Sequence, residues 1–204
     1  MQALFVHGMG RSPLSGWPLL RRLRQAGLRT HSFGHWVSRQ AFASIVERLG
    51  QRLMQIADSG EYVLVGHSLG GVLRREALRI APPGIRAPQR LFLLGSPVQV
   101  SSIAARLGDN PLYRLFTGDC GRMLGSEQRM AAIGAPAVPV TAIVGVKGWS
   151  LVSGLLPPEP HDGIVTLSET AAPWLTDVVR LPVPHMLLPS DARVSRVILE
   201  RLRR

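Results

Sequence analysis

The sequence predicts an α/β fold, a minimal and mostly parallel six-stranded sheet with helices on both faces. Three observations predict it. Short apolar runs alternate with longer stretches of helical periodicity, as in a parallel sheet whose strands are joined by crossover helices. The clearest run, Tyr62-Val63-Leu64-Val65, is apolar throughout, as a strand covered on both faces must be. Finally, Phe42, Ile45, Val46, Leu49, Leu53 and Ile56 recur at the spacing of one helix face. With 204 residues the chain is read as one domain, 1–204.

The first strand is Ala3 to Val6, stopped by His7-Gly8-Met9-Gly10. A helix is expected from Pro13 to Gln25, with Gly27 placed to end it, and Leu28 to Phe33 gives a second strand. The helix carrying the apolar stripe closes at Asp58-Ser59-Gly60. After the strand Tyr62–Val65, a helix runs from Leu69 to Ile80 and ends at Pro82-Pro83-Gly84. Arg90 to Leu94 and Val138 to Val144 are the next strands, the latter with its prolines near the start, where they cost least. Asp177 to Leu181 is a short last strand. Pro189 to Arg204 is a terminal helix with Val194, Val197, Ile198 and Leu202 facing inward.

The segment of about 96–136 breaks the alternation. It is richer in Gly, Asp, Asn and Ser, with short helices expected near Ile103–Leu107 and Leu112–Phe116. An insertion here lies over the carboxyl ends of the strands, where open α/β sheets bind ligands. It is read as a small cap, with Leu107, Leu112, Leu115 and Phe116 lining an apolar pocket.

Composition narrows the function classes. Apolar residues make up 46% of the chain and charged residues 18%, a globular mixture. No apolar run is long enough to span a membrane, and Met1 to Val6 lacks the basic start and long apolar stretch of a signal peptide. Cys120 is the single cysteine, which excludes an intramolecular disulfide; a cytoplasmic location is the expectation. The net charge of +11 rests on 24 basic residues, of which only Lys147 is lysine. They are dispersed, with small clusters at Arg21-Arg22-Arg24 and Arg201-Arg203-Arg204. No nucleic-acid-binding motif accompanies them, so no nucleic-acid partner is expected, and at most a weak association with anionic membrane surfaces. No metal is expected: His31, His35, His67 and His161 have neither cysteine partners nor H-E-x-x-H spacing. No cofactor is expected either, since the glycines form no G-x-G-x-x-G and no Walker lysine follows them.

One motif carries chemistry. Gly66-His67-Ser68-Leu69-Gly70 matches G-x-S-x-G directly between a strand and a helix. Such a turn forces the apex residue into a strained conformation and lifts its side chain off the sheet. The residues two before and two after must lack bulk, and Gly66 and Gly70 do. The helix that starts there aims its N-terminal amides at the site. Serine needs a base to take its proton and an acid to orient that base. His185 is the only histidine after residue 161 and follows the last strand. Asp162, in His161-Asp162-Gly163, stands in the loop after the strand ending at Val144 and is the favoured acid, with Glu159 its main rival. Asp177 leads into the last strand at its far end, and Asp191 reads as a helix cap. The oxyanion needs two N–H donors: the amide of Leu69, and that of Met9 in the glycine-rich loop after the first strand.

These stretches resemble the α/β-hydrolase superfamily, within it the lipase and esterase branch. The likeness rests on Phe5-Val6-His7-Gly8-Met9-Gly10, Val65-Gly66-His67-Ser68-Leu69-Gly70-Gly71, Gly95-Ser96-Pro97, and Asp162-Gly163-Ile164-Val165 with His185 downstream. It is similar to bacterial lipase-like esterases and to inositol-deacylase-like hydrolases. The resemblance implies Ser68, Asp162 and His185 as a triad and Met9 and Leu69 as the oxyanion hole. It implies a serine hydrolase acting on small-molecule or lipid-like carboxylic esters of short or medium acyl chain. Thioester cleavage or acyl transfer on the same triad, or a non-catalytic module gripping anionic lipid, are the alternatives. The first strand read here is the one before the oxyanion loop, so a sheet of six strands is expected, without the family's usual first two.

Overall fold

The structure, a computed structural model, describes residues 1–148 and 153–203. Arg204, expected at the end of the terminal helix, lies outside the described residues. Six strands form one sheet: β1 (Gln2–Val6), β2 (Arg29–Phe33), β3 (Tyr62–His67), β4 (Leu91–Leu94), β5 (Val140–Gly145) and β6 (Asp177–Leu181). Their order is β2-β1-β3-β4-β5-β6, and every pairing is parallel, where the sequence reading had allowed for a mixed sheet.

Burial follows from sequence position. β1, β3, β4 and β5 are buried at every residue, which is why they read as unbroken apolar runs. The edge strands β2 and β6 are partly exposed and carry Arg29, His31, Asp177 and Arg180, polar groups that discourage pairing with another chain. Alternate residues of the central strands face opposite layers. Leu4, Val6, Leu64, Leu91 and Leu93 pack with α2 (Phe42–Asp58) and α3 (Leu69–Arg79). Ala3, Phe5, Val63, Val65, Phe92 and Leu94 pack with α1 (Trp17–Gln25) and α7 (Ala192–Leu202). All six members of the predicted apolar stripe on α2 are buried. On α7, Val194 and Ile198 are fully buried, with Val197 and Leu202 partly so.

Boundaries moved where local chemistry required it. Pro13–Gly16 is a 3-10 turn ahead of α1, and α7 starts at Ala192 because Asp191 caps it, accepting from the Arg193 amide. The segment 96–136 holds three helices, not two: α4 (Ser102–Leu107), α5 (Pro111–Gly125) and α6 (Glu127–Ala132). Gly118 kinks α5 with a φ of 56°, and a side chain there would overlap the Val37 carbonyl oxygen. Beyond the kink, Cys120, Met123 and Leu124 turn inward and join the core beneath α2 and α3. Before it, Leu112, Leu115 and Phe116 are 65–69% exposed. The expected apolar lining of Leu107, Leu112, Leu115 and Phe116 is therefore corrected: of the four, Phe116 alone borders the cavity that starts at the loop after β1.

The chain crosses from one side of β1 to the other between β2 and β3, so the carboxyl ends of β1 and β3 flank the crevice where such sheets bind ligands.

Candidate active site

Ser68 sits alone between the end of β3 and the start of α3, with φ 52° and ψ −125°. Among the described residues it is the only non-glycine with positive φ, a conformation costing about 1–3 kcal/mol unless its surroundings impose it. Those surroundings are visible. A side chain at Gly66 would overlap the Gly71 backbone, and one at Gly70 the Val6 carbonyl oxygen, so α3 can press directly on β1 and β3. The Ser68 amide donates to the Leu94 carbonyl at 2.9 Å, while its own carbonyl accepts from the Ser96 hydroxyl at 2.7 Å. Strand, helix and neighbouring turn together hold the serine out of the sheet.

His185 opens a 3-10 turn after β6 and is 3% exposed. Its Nδ1 lies 2.7 Å from Oδ2 of Asp162, whose side chain is fully buried. The same carboxylate accepts from the Ile164 and Val165 amides through Oδ1 at 3.0 and 2.8 Å, and the His185 amide donates to the Asp162 carbonyl at 2.9 Å. Side chain and backbone thus lock the pair in one orientation. Glu159 does not take this place: it is partly exposed, accepts from the Ser168 amide and hydroxyl, and is held below the usual carboxylate range mainly by that hydroxyl. Asp177 pairs with Arg201 at the other end of the sheet.

Several residues that shape the site gave no clear signal in the sequence. A side chain on Gly95 would stand 2.8 Å from Asp162 Oδ2 and 3.0 Å from His185 Nδ1, so the glycine lets β4 close over the pair. Gly145 does the same at the end of β5, beneath Asp162. His67 is buried, and its Nε2 donates to the His185 carbonyl at 3.0 Å, tying the turn that holds Ser68 to the loop that holds His185. The Gly-Ser-Pro turn was the one readable sign of Gly95.

The loop after β1 is held by a histidine stack. His7 lies 4.0 Å from His35, the rings nearly parallel. The His35 amide donates to His7 Nε2 at 3.4 Å, which leaves the proton on Nδ1 to donate to the Gly8 carbonyl at 2.9 Å. Gly8 allows close approach, since a side chain there would stand 2.9 Å from Ser68 Cβ. Neither the Met9 nor the Leu69 amide has an acceptor among the described residues. A cavity of about 890 Å³ starts at this loop, bordered by Met9, Arg11, His35, Trp36, Arg48 and Phe116 among others. Among the described residues, no three His, Cys, Asp or Glu side chains form a group able to hold a metal ion. His31 instead bonds Gln2 and Arg52.

The buried histidines predict a pH dependence of stability. Burial is the largest cause lowering the pKa of His7, His35 and His67 below the ordinary 6.5, to about 3 for His35. Unfolding frees each to take up a proton near 6.5, so the unfolded state binds more protons below that pH. The stability they confer is full above 6.5 and is lost progressively as pH falls toward the folded values. A fully buried histidine such as His67 loses on the order of 1 kcal/mol per pH unit in this window. The urea midpoint is expected to fall steadily from about pH 7 to about pH 5.5, before most carboxylates titrate, and less steeply in His35→Asn. A midpoint flat across that interval contradicts the account.

No family model matches the chain, and no curated protein does either. Solved structures do. A mature lipase of Bacillus licheniformis, BlEst2, superposes with a TM-score of 0.72 at 16% identity, over 98% of this chain and 91% of that one. The metagenomic carboxyl esterase MGS0156 gives 0.78 at 15% identity, over 92% of this chain and 65% of that one. RedJ, a thioesterase of the prodiginine pathway in Streptomyces coelicolor, gives 0.56 at 17% identity, over 99% and 89%.

Proposed function

We propose that this chain, which has the α/β-hydrolase fold, is a serine hydrolase that cleaves carboxylic esters. The observation that carries the reading is the buried His185–Asp162 pair, brought to the same end of the sheet as Ser68, the one strained non-glycine among the described residues. In this reading His185 takes the Ser68 proton through Nε2, and Oγ attacks the ester carbonyl. The amides of Met9 and Leu69 hold the negative charge that develops on the carbonyl oxygen. Collapse breaks the bond to the alcohol, which leaves with the proton from His185, and the acyl group stays on Ser68. A water molecule, deprotonated by the same histidine, then attacks the acyl-enzyme and releases the acid. Asp162 keeps Nδ1 protonated and steadies the imidazolium formed in each half-reaction.

The cavity is within the size range of small-molecule sites, which supports a small-molecule ester; short or medium acyl chains are the proposed range. The fold is shared with a lipase, an esterase and a thioesterase, so hydrolysis of oxygen and sulfur esters must be told apart by assay. The test is release of p-nitrophenol from acetate, butyrate and longer esters, run beside the matching acyl thioesters. The expected result is burst kinetics, saturable turnover, and a rate maximum at short or medium oxygen esters. A maximum on thioesters moves the substrate class but keeps the mechanism. No turnover of either class rejects the reading.

A further inference from the structure

The cavity beside the site has an uneven chemistry. Trp36, Val37, Met9 and Phe116 give it apolar walls, yet two arginines, Arg11 and Arg48, border it and no Asp or Glu does. Arg11 follows the loop after β1 directly, its amide donating to the Gly8 carbonyl at 3.3 Å. It is partly buried, and its Nε is buried with no acceptor among the described residues. Burial, and to a lesser degree the positive charge of Arg11, lowers the pKa of His7 and of His67. Arg48, on α2, is exposed at the rim of the cavity; it lies 5.2 Å over the Phe33 ring and, among the described residues, donates to the Gly34 carbonyl at 3.4 Å. Neither has a carboxylate within ion-pair distance among the described residues. Three of the four arginines of the 96–136 segment differ: Arg114 pairs with Asp109, and Arg122 and Arg129 pair with Asp119.

Unpaired guanidinium groups at the wall of an apolar cavity are matched by an anion, whose charge-assisted hydrogen bonds gain strength where water is partly excluded. We propose that the natural ester carries a carboxylate or a phosphate on one arm, received by Arg11 and Arg48, with an apolar stretch against Trp36 and Phe116. This rests on the serine-hydrolase reading of the site.

The test compares matched esters that differ in one charge. On the acyl side, the p-nitrophenyl monoester of adipate is set against p-nitrophenyl hexanoate. On the alcohol side, the butyrate esters of para-hydroxybenzoate and of para-hydroxyphenyl phosphate are set against that of para-hydroxybenzamide. One anionic ester is expected to exceed its neutral partner in kcat/KM by about 10-fold or more. The ratio should shrink toward one in Arg11→Gln with Arg48→Gln, and also in the unaltered protein when salt rises from about 0.05 M to about 0.5 M. The salt series needs no variant, so a misfolded double mutant does not spoil the test. The carboxylate and phosphate arms tell which anion is preferred. Neutral esters turned over with every ratio at or below one overturn this inference and leave the hydrolase reading intact. Failure of all esters, with Ser68 unlabelled by a fluorophosphonate, overturns that reading itself.

Discussion

Ser68→Ala is expected to lower ester turnover by about 10,000-fold or more while the protein stays folded. Alanine leaves no nucleophile, so neither an acyl-enzyme nor a burst can form. The fold does not depend on the hydroxyl. Ser68 donates from its backbone amide to Leu94 and accepts at its carbonyl from Ser96 and Gly71, and all of these bonds survive loss of the hydroxyl. The side chain is partly exposed, so its removal opens no cavity in the core. Circular dichroism and the urea midpoint should therefore match the parent. Residual turnover above background would come from the amides of Met9 and Leu69 alone, since they polarise the carbonyl without any nucleophile. Turnover within a few-fold of the parent in pure, folded Ser68→Ala protein would remove Ser68 from the mechanism.

Asp162→Asn should cost about 1,000- to 10,000-fold in kcat with little change in fold. Asparagine has nearly the same shape, and its oxygen can still accept from the Ile164 and Val165 amides, as Oδ1 does now. The amide nitrogen then faces His185 Nδ1 and donates where the carboxylate accepted. The ring is driven to the tautomer protonated on Nε2, which cannot take the serine proton. Glu159→Gln is the contrast. Glu159 bonds Ser168, away from His185, and is partly exposed, so its loss should change turnover by no more than about 2-fold. A large loss in Glu159→Gln with a small one in Asp162→Asn would reverse the assignment.

The elements legible in the sequence share a physical trait: short range. Ser68 stands in a strand–turn–helix whose constraints lie within a few residues, so Gly66 and Gly70 could be recognised as spacers before the backbone they touch was known. The stripe on α2 and the runs of β3 and β4 were readable for the same reason, since one element's periodicity records its own burial. Asp162 and His185 were readable as an order along the chain, but their 2.7 Å approach depends on β5 and β6 lying side by side. The rest is long range. Gly95 and Gly145 look like ordinary loop glycines until the backbones around the His185–Asp162 pair converge. The His7–His35 stack joins the loops after β1 and β2, and no local pattern encodes it. The exposed face of α5 misled for a related reason. Leu112, Leu115 and Phe116 have the spacing of a buried stripe, but the Gly118 kink gives that role to Cys120, Met123 and Leu124. A stripe shows which residues share a face, not which way the face points.

Covalent labelling shows whether Ser68 is a nucleophile activated by His185. The folded protein is incubated with a fluorophosphonate, digested, and the adduct located by mass spectrometry. One adduct is expected, on Ser68, formed in parallel with loss of esterase activity, and formed far more slowly in Asp162→Asn. An unlabelled Ser68 in active, folded protein, or an adduct at another residue that tracks the loss of activity, would contradict it.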